Sequence, residues 1–351
     1  MLDRGEAVRK LVLNAARLTG AASLMAPYLG GIGAILMLHR VSGHCLRPDG
    51  VNRHLTVTPD FLDATIADVK ALGYELVSMD EAVSRIGGKA GRRFAAITAD
   101  DAYRDNLLEA LPILEKHDAP ITIYVSPGLT SGMRDLWWEV IEEIVSAREG
   151  IYLNTPGGRV NLDCATPALK HAATVRLHEY FTDELREEDQ QHVLRDLALA
   201  AGIDAGGHTR RALMDWDEIR RISTHPLVTV GAHTVNHYNL RRLSADKARR
   251  EIADAPRIIE METGLRPRHM AYPYGYLAAV GEREVKLAAE AGFASAVTTR
   301  HGVLSPGHAR HLHALPRISL NGRYQNVAHV RTMLSGITTP IANAGRRVVT
   351  V

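Results

Sequence analysis

Leu227-Val-Thr-Val-Gly-Ala-His-Thr-Val-Asn-His237 is the stretch on which the reading of the fold turns. Val228-Thr-Val230 favours the pleated backbone of a strand and runs into Gly231. His233 and His237 follow, four positions apart, and share a face if the chain turns helical after the strand. Two neutral imidazoles at the end of a buried strand can begin a transition-metal site but are too few to complete one. The plainer alternative is that both are ordinary polar residues at a strand rim, because H-x-x-x-H alone matches by chance often. A third ligand must come from elsewhere. The tandem carboxylate Asp100-Asp101 is the best source, since it ends a second strand-like run, Phe94-Ala-Ala-Ile-Thr98.

Outward from these two runs, strands and helices alternate. Ala34-Ile-Leu-Met-Leu-His39 is apolar and too short for an independent helix, which suits a strand buried on both faces. Thr58-Pro59-Asp60 supplies a cap and a first-turn proline for a helix bearing Phe61, Leu62, Ile66, Val69 and Leu72, and Gly73 stops it. Strands are expected at 74–77 and 121–125, and helices at 79–86 and 107–116. Such alternation implies parallel strands with right-handed crossovers, hence an α/β barrel or open sheet. Functional groups in these folds gather at the carboxyl ends of strands. His39, Asp100, Asp101 and His233 all fall at such ends.

Between residues 126 and 223 the alternation lapses. An amphipathic helix at 136–145, a hairpin at 151–163 turning on Pro156-Gly157-Gly158, and helices at about 168–181 and 186–201 make a mainly helical insertion. Trp137 and Trp138 fit its core, although one could serve as a sugar-stacking platform. Beyond the histidine strand, a helix at 246–261 carries Pro256 and meets Gly264. His269-Met-Ala-Tyr-Pro-Tyr-Gly275 is a strand entering a loop. A helix at 282–291, strands at 294–299 and 315–320 and a helix at 324–334 complete the pattern. The chain divides into a helical segment at 1–33, one elaborated catalytic domain at 34–336 with its insertion at about 131–212, and a loose tail at 337–351.

Bulk properties narrow the function. With 351 residues, 46% hydrophobic and 23% charged, the chain suits a soluble protein with a sizeable core. A formal net charge of +2 and scattered arginine pairs argue against a nucleic-acid binder. Two cysteines, Cys45 and Cys164, exclude a disulfide framework or a cysteine-rich zinc site. His44 beside Cys45 reads as a surface loop rather than a thiol–imidazole pair. Ser131 and Ser335 lack a nucleophile-elbow context, which disfavours a serine hydrolase. Arg17 interrupts the apolar run near the amino terminus, so neither a signal peptide nor a spanning helix is expected there, and a cytoplasmic protein is. An amphipathic helix over 6–25 is read as capping the domain in preference to touching a membrane surface.

Three motifs in order, T-A-D-D (98–101), H-T-V-N-H (233–237) and A-Y-P-Y-G (271–275), resemble those of the polysaccharide deacetylase family, the NodB-homology group of carbohydrate esterases. The resemblance spans about 34–334, with 131–212 as a subgroup insertion. It implies a distorted (β/α) barrel of mostly parallel strands and a metal-dependent hydrolase that removes N-acetyl groups from amino sugars of a polysaccharide, oligosaccharide or glycolipid. By the same resemblance, Asp101, His233 and His237 hold one divalent ion, zinc being the first choice, and Asp100 is the general base. The Tyr272-Pro273-Tyr274 loop walls the groove, with the Tyr274 N–H toward the oxyanion. In permuted members the general-acid histidine lies near the amino terminus. L-x-x-H at 36–39 makes His39 that acid, with His313 as the fallback. Leu315-Pro-Arg-Ile318 is similar to a closing motif in which Arg317 orients Asp100.

Two departures stand out against that pattern. Ala99 replaces a bulkier residue beside the carboxylates, and Ala271-Tyr272 lacks the arginine that often precedes the proline loop, leaving Arg268 as the nearest base. Two other functions share the ligand set. One is an O-acetyl esterase or small-amide hydrolase; the other is a catalytically silent glycan-binding homologue, which Ala99 would favour.

Overall fold

The computed structural model describes residues 4–43, 50–88, 91–155 and 157–351. Its strands are β1 (Gly33–Leu38), β2 (Arg40–Val41), β3 (Thr56–Val57), β4 (Glu75–Leu76), β5 (Phe94–Ala99), β6 (Ile121–Val125), β7 (Gly150–Thr155), β8 (Gly158–Asp163), β9 (Val228–Ala232), β10 (His269–Ala271), β11 (Ser295–His301) and β12 (Leu315–Ser319). Seven of them close a barrel in the order β5-β1-β12-β11-β10-β9-β6 and back to β5, each neighbour parallel to the next. The distorted (β/α) barrel is therefore the fold. The short β4 lies parallel against the start of β5.

Alternation along each strand sorts side chains into two sets. Ile35, Phe94, Ala96, Tyr124, Ala271, Val297 and Leu315, drawn from strands all around the ring, pack together as one cluster, which only the barrel interior permits. Leu36, Leu38, Ile97, Ile123 and Val125 face outward and join the helices Pro59–Ala71 and Ala245–Thr263 in the main core. Asp100 and Arg317 continue the inward set of β5 and β12, so the barrel's own pleat aims them into its mouth. Register does the rest. Leu38 pairs with Ala99, which makes His39 and Asp100 emerge side by side. Val125 pairs with Ala232, which sets Ser126 beside His233.

The insertion has its own core, built on Trp137–Ala147, Pro167–Glu179 and Gln190–Ala201. Its β7–β8 hairpin pairs Thr155 with Gly158, as the turn residues foretold. Buried charges clamp it to the barrel. Arg40 donates to Asp105 at 2.9 Å and to Glu139 at 3.1 Å, and His208 lies 2.9 Å from Glu139.

Two expectations are corrected. The helix expected over 6–25 is two helices, Arg4–Leu18 and Ala21–Leu29, because Gly20 takes a left-handed φ of 73° between them. The tail expected to be loose is docked. Thr338–Ala342 is helical and Val349 is buried, because Val348 and Val349 pack where Gly307 and Gly302 carry no side chain. No helix among the described residues is long and apolar enough to cross a membrane.

Gly231 is fixed by the packing it permits. A Cβ there would meet the Tyr124 ring at 2.4 Å inside the barrel. Gly231→Ala is expected to cost about 1–3 kcal/mol of stability through overpacking. Chemical denaturation would register this as a lower midpoint, and an unchanged midpoint would refute it.

Candidate active site

Four loops at the carboxyl mouth of the barrel carry the site, and the backbones of three of them are strained. Among the described residues, seven non-glycines have positive φ, and five of them are Asp101 (68°), Ala102 (54°), Thr234 (59°), His237 (57°) and Tyr274 (62°). A left-handed residue costs roughly 1–2 kcal/mol, so such a cluster marks a constellation that the surrounding packing over-determines. The packing is visible in the histidine loop. The His233 N–H donates to the Val125 carbonyl at 2.8 Å, and the Ser126 hydroxyl donates to the His233 carbonyl at 2.6 Å. Glu251 of the Ala245–Thr263 helix accepts from the Asn236 backbone N–H at 2.7 Å and from its side-chain amide at 2.6 Å.

Asp101, His233 and His237 converge, each buried, with one donor atom apiece inside a 4.8 Å cluster. Asp101 Oδ1 lies 3.5 Å from His233 Nε2 and 3.4 Å from His237 Nε2, and it accepts no hydrogen bond. Burial first, then the neighbouring charges of Asp100 and Glu139, push the Asp101 carboxyl well above the usual range. Burial holds both imidazoles below their ordinary value, so their lone pairs are available near neutrality. His233 Nδ1 is 2.8 Å from the Ala271 carbonyl, which fixes the proton there and leaves Nε2 as a donor. Tetrahedral donors about 2.0–2.2 Å from one ion stand roughly 3.4 Å apart. The three side chains fit a divalent cation by separation, by the two neutral imidazoles and by the unpartnered carboxylate oxygen.

Asp100 has the opposite environment. Arg317 grips it with two bonds of 2.7 Å, one to each oxygen, and anchors its own Nε on the Thr298 carbonyl at 2.9 Å. Burial alone would raise the Asp100 carboxyl, but the guanidinium outweighs it and holds the group well below the usual carboxylate range. His39 Nε2 lies 3.9 Å from Asp100 Oδ2, with 20% of its side chain exposed at the mouth. Burial, opposed by Asp100 and reinforced by Arg317, lowers His39 to about 4.

The structure brings His39, Asp100, Asp101, His233, His237 and Arg317 together, with the Tyr274 ring 5.2 Å from that of His237. It does not bring His313, whose Nε2 faces the Phe293 carbonyl at 2.7 Å, so the fallback acid is excluded by position. Arg268 turns away to Asp80. Ala99 is fully buried between Leu38 and Ile123, and Asp100 beside it is held by Arg317 instead of a bulky neighbour. Trp137 stacks on Phe181 in the insertion core as expected. Trp138 does more: its Nε1 donates to the Tyr103 hydroxyl at 3.0 Å and its ring lies 4.9 Å from His237. Cys164 is a buried free thiol, while His44 and Cys45 lie outside the described residues. Sequence reasoning missed Glu139, Tyr103 and Glu251. In the run Trp137-Trp-Glu-Val-Ile-Glu-Glu143 nothing separates the buried Glu139 from its neighbours.

Arg317→Met should leave the Asp100 charge buried without a partner and cost about 3–5 kcal/mol near neutrality. Because the pair depresses the folded carboxyl, the penalty is full above the unfolded value of ~3.9 and shrinks as pH falls through the acid range. Adding Asp100→Leu should recover most of the loss. Denaturation of the three proteins across pH checks this, and a pH-independent penalty would refute it.

The family model described as polysaccharide deacetylase matches residues 87–296. No curated protein matches the sequence. Among solved structures, the Streptococcus pyogenes deacetylase PplD, in complex with acetate, is 20% identical with a TM-score of 0.54, covering 82% of this chain and 92% of its own. IcaB from Ammonifex degensii is 15% identical with a TM-score of 0.54, covering 86% and 97%. A de-N-acetylase from Aggregatibacter actinomycetemcomitans is 12% identical with a TM-score of 0.52, covering 86% and 99%. At such identities these likenesses speak to the fold. The family model reaches over more than half of the chain and takes in the Asp and His motifs, and this protein belongs to the polysaccharide deacetylase family.

Proposed function

We propose that this protein is a metal-dependent deacetylase that removes N-acetyl groups from amino sugars of a polysaccharide, oligosaccharide or glycolipid. The observation that carries this reading is the buried Asp101–His233–His237 triad beside the Asp100–Arg317 pair, in a chain of this family. Two imidazoles and one carboxylate suit zinc. When bound, a divalent ion supplies positive charge that polarises the acyl carbonyl and lets water deprotonate near neutrality.

Asp100 receives the proton of the attacking water. Arg317 keeps that carboxylate ionised and fixed in direction. His39 is neutral at rest, since burial lowers it to about 4, so it must gain its proton during turnover. Asp100 stands 3.9 Å away to hand that proton on, and His39 passes it to the departing amine. An amine cannot leave without a proton, whereas an alkoxide needs one less. A proton carrier built into the mouth therefore favours an amide over an ester substrate. The Tyr274 backbone N–H, on the loop after β10, is assigned to the developing oxyanion.

Acetate release from N-acetylglucosamine oligomers tests the reading. Release should vanish with a chelator and return with zinc. His39→Gln and Asp100→Asn should each lower kcat by about 10²–10⁴ with little change in KM. No acetate from a broad panel of N- and O-acetylated glycans would overturn the proposal.

A further inference from the structure

The two histidines of the triad are held differently. His233 Nδ1 meets the Ala271 carbonyl at 2.8 Å, which settles its tautomer. His237 Nδ1 is buried and makes no hydrogen bond, although its own carbonyl is near. His237 turns Nε2 toward Asp101 at 3.4 Å, so the proton of the neutral ring belongs on Nδ1. A histidine that ligates a metal almost always donates that proton to a carboxylate, a carbonyl or a water. His237 therefore has a buried N–H to place.

Beside it lies a cavity that opens about 10 Å³ to water, room for about one molecule. Asp135, Trp137 and Gln191 of the insertion line it together with Asn236 and His237 of the histidine loop. Several polar groups of this wall are already committed. Gln191 accepts from the Asp135 N–H at 2.9 Å and donates its amide to Asp135 Oδ2, and Arg195 reaches the same oxygen at 3.2 Å. The Asn236 amide donates to Glu251 at 2.6 Å. Asp135 Oδ1, Trp137 Nε1 and His237 Nδ1 are left buried and unbonded, although the Tyr274 hydroxyl stands beside the Trp137 nitrogen. Asp135 is only 3% exposed, and a carboxylate oxygen without a partner at that depth is costly. Two N–H donors and one carboxylate acceptor complement a water, which accepts through its oxygen and donates its hydrogens. Buried waters typically make about three such bonds.

We propose that this cavity seats one ordered water through which Asp135 orients His237, making Asp135 a positioning residue for the metal ligand. The inference rests on the metal-dependent reading. It ties the insertion to the metal site by a polar link, where Trp138 already packs on the face of the His237 ring. Asp135→Asn tests it with little change of shape. Its amide oxygen should stay with Gln191 and Arg195, which both donate, so its NH₂ would face the cavity and the water would lose its acceptor. Zinc affinity, read by competition with a chromophoric chelator, should fall about 10–100-fold. Arg195→Gln is the control for a merely structural role, because it loosens the clamp on Oδ2 and leaves Oδ1 in place. It should lower the denaturation midpoint and keep the wild-type zinc affinity. A high-resolution crystal structure of the wild type should show a water about 2.7–3.2 Å from Asp135 Oδ1 and His237 Nδ1. Equal zinc affinity in wild type and Asp135→Asn overturns the proposal, as does an equal loss in Arg195→Gln or a cavity without that water. The two readings fail separately. A wild type that binds no zinc sinks the metal-dependent reading and this inference with it, whereas tight zinc binding indifferent to Asp135→Asn sinks this inference alone.

Discussion

Two adjacent carboxylates cannot both remain charged in the mouth of a parallel barrel unless each faces a cation of its own. Asp100 and Asp101 leave the same strand, both almost wholly buried, yet the protein supplies a guanidinium to only one of them. Arg317 is committed to Asp100 through both terminal nitrogens. Asp101 is met by two imidazoles that burial keeps neutral. That asymmetry separates the roles of neighbouring residues with the same chemistry: one carboxylate is fixed and ionised, and the other is poised for a positive charge from outside the chain.

Holding the asymmetry requires backbone conformations that the residues would not choose. Asp101, Ala102, Thr234, His237 and Tyr274 are left-handed without being glycines, and three different loops are involved. They persist because rigid elements grip each loop. The β1–β5 register sets His39 against Asp100, Glu251 cross-braces the histidine loop, and the Tyr274 carbonyl accepts from Thr299 at 2.7 Å. The insertion adds a further wall, since Trp138 comes from its first helix and packs on His237. The barrel supplies direction and the loops supply strain, and the convergence needs both.

Much of this was legible in the sequence because it depends on strand ends. Apolar runs closing on His39, Asp100-Asp101 and His233 signal parallel strands whose carboxyl ends meet, and the barrel places them there. Arg317 was legible only by resemblance, since an arginine inside a strand gives no local sign of its partner 217 positions away. What escaped depends on packing between distant segments. Glu139 and Tyr103 are ordinary in their local runs and gain meaning only when the insertion folds back onto the barrel. The tail from residue 337 read as loose because its apolar end is short. Its docking depends on two glycines, Gly302 and Gly307, that periodicity does not connect to it. The helical period runs through Gly20 on both sides, so one helix was expected where two exist.

The account stands or falls on the cation. Anomalous diffraction at the zinc absorption edge from crystals grown with zinc addresses this directly. One strong peak is predicted, about 2.0–2.2 Å from Asp101 Oδ1 and from Nε2 of His233 and His237, with the Asp100–Arg317 pair unaltered. A map without a peak among those three atoms, or with the ion bound at Asp100 in place of Arg317, would contradict it.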